Sequence, residues 1–481
     1  MGRSDSDDLW GALSVDSLAR LLLEHPSGPD EPLICSIDTV MSAAEFVQAA
    51  QVVAGRLGAL GVLRGHAVAV QLGSGPEMAA AMFGVWLAGA VFVPVNVRAP
   101  AREVEHVVSV IRPAALVDPG GLRDFEEPAC FAPDSAFVTW TSGTTGAPKP
   151  ILQTHSGYRE ILGRVLSSLR RGPTPDRPSP NLVPVSLALN AGIYNLLFGL
   201  MAGAAVVLMD RFVPEDFSVL VRRYGVRSTV LPPAAMTMLT DASNINDLAP
   251  LRYVRSITAP LSPLAARRFM AKFGVTVLNG YGQAEVGEVI GWTAADAREH
   301  PDKLGAAGRP HAGVSLKVVD ERGAPVPAGE VGQLLVRPPR MAAGYAGGEL
   351  LADRLDDEGF VKTGDYASVD ADGFVWIEGR TSDLINRGGN KVFPDQVEEV
   401  LLLLPGIAEA AVVGVPDDRL GEVPVAFVVG DATDEDLASI CREHLVPYKI
   451  PVAFERVAAI PRSEVGKILR RQLADQIKYT S

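Results

Sequence analysis

Through about residue 300, short β-branched runs alternate with segments of helical pattern, and this alternation limits the fold more than any other feature of the chain. Residues 67–70, 91–95, 204–209, 228–231, 256–259 and 275–279 read as strands. Residues 77–90 and 263–272 read as two of the intervening helices. Strands joined through helices pair in parallel, so the expected architecture is α/β, with doubly wound sheets.

The texture then changes twice. Residues 314–319, 332–336 and 374–378 are short strands parted by Gly, Pro and Asp turns, which predicts a small β-barrel unit over 300–380. After Arg380 come a helix at 395–404 behind Pro394 and a hairpin of 410–415 with 423–429 around Pro416-Asp417-Asp418. A second helix and a last strand follow. Residues 1–380 therefore read as a large N-terminal domain and 383–481 as a small α+β C-terminal domain.

Composition works here by exclusion. A chain of 481 residues, 47% apolar and 21% charged, is ordinary globular material for more than one core. A net charge of −13 argues against a nucleic-acid surface, so local basic groups must meet any anionic ligand. Cys35, Cys130 and Cys441 are too dispersed for a zinc site or a disulfide framework. Cys441 falls on the stripe Leu437, Ile440, Cys441, Leu445 of a helix opened by Thr433 with Asp436 three residues on, a core position. The acidic start of the chain is not a secretory signal, and the match of Gly2 to a myristoylation pattern is too short to count. Residues 183–209 carry no charged side chain, yet Pro184, Asn190 and Asn195 interrupt them. A buried strand–helix–strand passage is expected there rather than a membrane span, and the cytoplasm is the expected compartment.

Residues 139–150, TWTSGTTGAPKP, carry the clearest chemical sign. Glycines let backbone N–H groups close on an anion, the hydroxyls of Thr141, Ser142, Thr144 and Thr145 add donors, and Lys149 adds charge. That is a cradle for polyphosphate. It is not a Walker A loop, because Ala147-Pro148 separates Gly146 from Lys149 and Pro150 follows. Residues 279–285, NGYGQAE, follow a strand, the place where α/β sheets bind ligands. Tyr281 offers a face to a purine and Glu285 a hard oxygen to Mg²⁺. Asp365, in KTGD ahead of the β unit, can accept both hydroxyls of a ribose. Lys467 stands on a Gly-Lys turn in PRSEVGKILR, residues 461–470. Each segment alone also reads as a linker or a surface turn.

In this order the four segments resemble the adenylate-forming superfamily: acyl-CoA synthetases, peptide-synthetase adenylation domains and firefly-type luciferases. MAAGY at 341–345 and RGGNKV at 387–392 match as well, and the resemblance covers essentially the whole chain. It implies that a carboxylate attacks the α-phosphorus of ATP to give acyl-AMP and pyrophosphate, and that a thiol then takes the acyl group. It implies Lys467, Glu285 and Lys149 as catalytic residues, with Mg²⁺ on Glu285. Nucleotide contacts would come from Thr141, Ser142, Gly143, Thr144, Thr145, Lys149, Ala259, Gly280, Tyr281, Gly282, Asp365, Ile377, Arg380 and Lys467. The C-terminal domain would be mobile about a hinge at Ser382.

Three positions depart from the family pattern. Ala284 replaces a Thr, Ser382 an Asp or Lys, and Asn386 a Lys. The passage after Pro184 holds no acid to pair an ammonium, so an α-amino acid is not the expected substrate. By the resemblance, Leu189, Asn190, Ile193, Tyr194, Thr258, Ala259 and Gly280 would line an apolar pocket with a few polar groups, for a fatty, aryl or polycyclic acid. Coenzyme A is the expected acceptor. A carrier-protein thiol is the alternative, and a silent nucleotide-binding paralogue a third reading. A monomer and a homodimer both fit.

Overall fold

The computed structural model describes residues 13–141, 149–169, 178–257, 259, 261–346, 351–462 and 468–477. The alternating segments build two sheets that share one core. The first has seven strands in the order Gly344–Tyr345, Lys149–Thr154, Ser135–Thr141, Val91–Pro94, Ala67–Val70, Ala115–Asp118, Gly121–Asp124. Its four inner strands, Ser135–Thr141 through Ala115–Asp118, are parallel and the flanking pairs antiparallel. The second has nine strands, in the order Arg309–Pro310, Gly287–Gly291, Thr276–Gln283, Tyr253–Ser256, Ser228–Leu231, Asn181–Val183, Val206–Leu208, Pro32–Cys35, Val40–Ser42. Between the sheets runs the helix Pro76–Leu87, buried from Met78 onward. A helix apolar on every side belongs inside. Val68, Val70, Phe92 and Phe137 of the first sheet and Val183, Val206 and Leu208 of the second meet in its core.

Two strands differ from their sequence reading in ways that matter for the site. Of the strand expected over 256–259, only Ser256 lies in a strand among the described residues. The strand is Tyr253–Ser256, parallel to Ser228–Leu231 and Thr276–Gln283. Tyr253 and Arg255 interrupt its apolar pattern and hide it. The strand expected over 275–279 continues to Gln283. It leaves its parallel partner and pairs antiparallel with Gly287–Gly291. NGYGQAE is thus mostly strand rather than a turn behind one. Residues 183–209 form the buried passage expected of them, with the helix Asn190–Met201 before the strand Val206–Leu208. Among the described residues no helix is long and apolar enough to cross a membrane.

The β unit is a four-stranded antiparallel sheet, Ser315–Val319, Gly332–Arg337, Val361–Val369, Val375–Arg380. Asp365 lies inside its third strand, not ahead of the unit. The sheet packs Leu334, Val336, Val361 and Val375 against Val286, Val289 and Ile290. This joins the β unit to the NGYGQAE strand.

The C-terminal domain pairs Ile407–Asp417 with Gly421–Gly430 as its long hairpin. One face, Ala410, Val412, Ala426 and Val428, packs with Leu437 and Cys441 of the helix Asp434–His444. Cys441 is wholly buried there, and Thr433 and Asp436 form the reciprocal cap. The other face, Ala411, Val413, Val425 and Phe427, packs with Leu473 of the helix Arg470–Ile477. The helix behind Pro394 closes at Leu401, one turn short of its expected end.

His155 opens the helix His155–Leu169, and its Nδ1 accepts a hydrogen bond from the Leu18 N–H at 3.1 Å. Burial pulls its pKa down to about 4, against the pull of Asp134. The unfolded chain takes this proton near pH 6.5, which the folded chain refuses until about 4. Stability therefore falls as pH drops through that window, by about 3 kcal/mol across its width. Denaturant titrations at several pH values should show that slope. His155→Asn, which keeps an acceptor for Leu18, should flatten it; the same slope in the variant would refute the assignment.

Candidate active site

Thr276–Gln283 brings two side chains onto one carboxylate. The Tyr281 hydroxyl donates to Asp365 Oδ2, and Gln283 Nε2 donates to the same oxygen at 3.0 Å and to the Thr363 carbonyl at 2.8 Å. Arg380 Nε lies 3.4 Å from the other oxygen, across a register pair of the β unit. The Asp365 amide donates to Thr363 Oγ1 at 3.1 Å. Asp365 is 3% exposed, which no surface turn would give. Burial, then the Asp365 charge, holds the Tyr281 hydroxyl well above its ordinary pKa, so it keeps its proton and donates. Tyr281 and Ile377 rest on the same apolar cluster. Gly282 is sterically required: a Cβ there would fall 2.3 Å from the Gly287 carbonyl oxygen.

The network continues to Glu285, which is 7% exposed. Its Oε1 accepts from Arg354 Nη1 at 2.6 Å. Arg354 Nη2 donates to Gln283 Oε1 at 3.0 Å and to the carbonyls of Lys362 and Thr363 at 3.2 Å each. One guanidinium thus couples the carboxylate expected to hold metal with the one expected to hold ribose. The Glu285 carbonyl accepts from the Ala342 amide at 2.8 Å, and the Ala284 carbonyl from Gln153 Nε2 at 2.8 Å. These bonds fasten the segment to the first sheet. The Ala284 methyl packs with Ile151, Met341, Ala342 and Tyr345, an apolar setting for the missing hydroxyl.

Lys149 Nζ lies 5.0 Å from the centroid of the same Tyr345 ring. Thr141 and Lys149 are Cα partners in an antiparallel pair. Ser142, Gly143, Thr144, Thr145, Thr258 and Lys467 lie outside the described residues. A Walker A loop joins a strand to a helix. Here strands flank 142–148 on both sides. Among the described residues no three His, Cys, Asp or Glu side chains gather as a metal cage. The single carboxylate of Glu285 suits Mg²⁺, which proteins commonly hold by one or two carboxylates plus nucleotide phosphates.

The model of the AMP-binding enzyme family matches residues 26–128 and 118–346, and that of the AMP-binding enzyme C-terminal domain matches 396–467. The chain belongs to the AMP-binding enzyme family. A 2-succinylbenzoate–CoA ligase of Bacillus licheniformis is 30% identical, over 94% of this chain and 100% of its own. A long-chain-fatty-acid–CoA ligase of Mycobacterium tuberculosis is 28% identical, over 92% and 95%. Of solved structures, ATP-bound MatB from Rhodopseudomonas palustris has a TM-score of 0.86 at 25% identity, covering 96% of this chain and 99% of its own. The o-succinylbenzoate CoA synthetase of Bacillus subtilis, in complex with its acyl-adenylate intermediate, has a TM-score of 0.83 at 25% identity, over 94% and 97%.

Several features of this AMP-binding enzyme escape sequence reasoning. Gln283 and Arg354 complete the Asp365–Glu285 network, yet nothing in QAE or ADRLDD marks them. Of the residues expected to line an acyl pocket, Leu189 precedes the helix Asn190–Met201, and Asn190 Oδ1 accepts from the Tyr158 hydroxyl at 3.0 Å. Ile193 is wholly buried in the main core. Ala259 and Gly280 are half-buried. The Tyr194 hydroxyl donates to Glu288 at 3.4 Å, a partner three residues past Glu285 that sequence reasoning missed.

At the domain junction Ser382 is exposed, and its hydroxyl donates to Asp383 Oδ1 at 2.8 Å. Across the junction Lys391 Nζ donates to the Tyr366 hydroxyl at 3.2 Å and lies 2.8 Å from Glu321, while Gln396 donates to Glu378 at 2.9 Å. Asn386 Oδ1 accepts from the Gly389 amide at 3.0 Å and so closes the Gly388-Gly389 turn. A lysine at 386, having no acceptor, cannot make that bond.

Proposed function

We propose that this chain is an ATP-dependent acyl-CoA ligase acting on an aryl or fatty acid. The observation that carries the reading is the unbroken network Tyr281–Asp365–Gln283–Arg354–Glu285, whose Ala284 shares Tyr345 with Lys149. Asp365 would accept the ribose hydroxyls, with Arg380 beside it, and the ring of Tyr281 would face the purine. Lys149 and the hydroxyls of the loop would hold the leaving pyrophosphate. Glu285 would hold Mg²⁺, which supplies neutralising charge to the phosphates; Arg354 fixes the orientation of that carboxylate. In phosphoryl chemistry the protein works mainly by positioning and charge, and this arrangement offers both.

The acid's carboxylate would attack the α-phosphorus, with Lys467 between the two. A thiol would then attack the acyl-AMP after the C-terminal domain turns at Ser382, presenting the Asn386-closed glycine turn to the pantetheine arm. The family relationship and the CoA ligases among its relatives favour CoA over a carrier protein as the acceptor.

Pyrophosphate release over a panel of aryl and fatty acids, each with and without CoA, tests the proposal. Acid-dependent release with acyl-CoA as product is expected. Acyl-AMP that accumulates unchanged in the presence of CoA would remove the ligase half, and no release with any acid would remove the whole reading.

A further inference from the structure

Tyr194, one of the residues expected to line the acyl pocket, touches a cluster of buried charge through Glu288. Arg255 pairs with Glu288, whose other oxygen lies 3.1 Å from His311 Nε2. The Tyr194 hydroxyl donates to Glu288 Oε2 at 3.4 Å, and Arg164 Nη2 to the Glu288 carbonyl at 3.4 Å. Gly291 makes room for the group: a Cβ there would fall 2.9 Å from Glu288 Oε1 and 3.0 Å from His311 Nε2. Gly280 borders it, a Cβ there lying in ordinary contact at 3.8 Å from the same carboxylate oxygen. Burial pushes the Glu288 carboxyl upward, yet Arg255 and then His311 outweigh it and hold it at about 2. Glu288 is therefore a fixed anion.

The cations still outnumber the anions. Arg164 and Arg255 face Glu288, and the one further carboxylate acting on Arg164, Glu160, is itself paired with Arg340 at 2.7 Å. Arg164 Nε and Nη1 are buried without a hydrogen-bond partner among the described residues. Burial lowers the pKa of Arg164, while Tyr194, Glu160 and Glu288 only partly restore it. A desolvated guanidinium with two idle nitrogens is unfavourable unless an anion reaches it.

We infer that the acid taken by this enzyme carries a second anionic group, a carboxylate or a sulfonate, at the end remote from the reacting carboxyl, and that Arg164 and Arg255 receive it. This rests on the acyl-CoA ligase reading and sharpens its substrate class. Gly280 stands beside the charged cluster, one residue before Tyr281, so the strand that serves the nucleotide also leads to the far end of the acid. Glu288 restrains Arg255 and leaves Arg164 as the principal receptor.

The test uses acids matched in size and differing at the far end: adipate against hexanoate, terephthalate and para-sulfobenzoate against para-toluate. The full-length enzyme should favour the dianion of each pair by at least about tenfold in kcat/KM. Arg164→Met should bring that ratio toward one, and Arg164→Lys, which keeps the charge, should retain most of it. The relative rates of terephthalate and para-sulfobenzoate tell the carboxylate from the sulfonate. Preference for the methyl-ended acids, or a ratio unmoved by Arg164→Met, overturns the inference. Calorimetric binding of the same acids separates the two readings. A dianion bound selectively without pyrophosphate release sinks the ligase reading and leaves this one standing, whereas binding without selectivity sinks this one.

Discussion

Lys467→Ala should slow acyl-AMP formation by about two to three orders of magnitude while the chain stays folded. The lysine would meet negative charge shared between the attacking carboxylate and the α-phosphate, and one well-placed donor to developing charge is worth about 3–4 kcal/mol. Arg462 and Ile468, on either side of residues 463–467, form an antiparallel bridge. Three residues past Lys467, Arg470 anchors the chain: Nη2 bonds Asp395 at 2.6 Å, Nη1 bonds Glu398 and the Val412 carbonyl, and Nε lies 3.4 Å from Asp383. Asp383 is next to Ser382, so the root of the lysine loop is tied to the proposed hinge. A movement at Ser382 would carry Arg470 with it. Single-turnover pyrophosphate release measures the first half-reaction directly. Synthetic acyl-AMP supplied with CoA measures the second, which should fall far less in Lys467→Ala. Near-normal pyrophosphate release in that variant would sink the assignment.

Which parts of this molecule were legible in its sequence follows from how local their causes are. The alternating strands and helices are written in side-chain period, and the Thr433–Asp436 cap in two residues three apart. The cap formed as expected, and so did the alternation, with the strand read at 256–259 found instead at Tyr253–Ser256. Tyr281, Glu285 and Asp365 stand out because their chemistry is conspicuous within short segments. The bonds that join them are not local: Gln283 reaches Asp365 across 82 positions and Arg354 reaches Glu285 across 69. Nothing in either segment names the other. Arg255 was doubly hidden, since its charge breaks the apolar run that would mark the strand Tyr253–Ser256 and its ion-pair partner, Glu288, lies on a different strand. The apolar character of LALNAGIY is real along the helix, yet the charge at its far side comes from other strands and from the helix His155–Leu169. Asn386 shows the converse. As a departure from the family it reads as a loss, whereas in the structure its acceptor closes a turn.

Asp365 is where the sequence reading and the structure make separable demands, and two variants divide them. Asp365→Asn keeps a carbonyl oxygen for the Tyr281 hydroxyl and gives up the charge that Arg380 and the ribose hydroxyls would share. Hydrogen bonds to charged groups are worth about 1.5–3 kcal/mol, so KM for ATP should rise by about 10–100-fold. Ribose contacts hold ground state and transition state alike, so kcat should change little. Asp365→Leu is harsher. It leaves Arg380, Gln283 and the Tyr281 hydroxyl without their shared acceptor in a buried site. Breaking such a set by removing one partner costs about 3–5 kcal/mol, to be seen as a lowered denaturant midpoint for the N-terminal domain. Because Arg354 couples the two carboxylates, the Leu variant should also weaken Mg²⁺ dependence at Glu285, which the Asn variant should not. If Asp365→Asn left KM for ATP at the wild-type value while Asp365→Leu lost stability, Asp365 would be a strut of the β unit and the ribose would have to be held elsewhere.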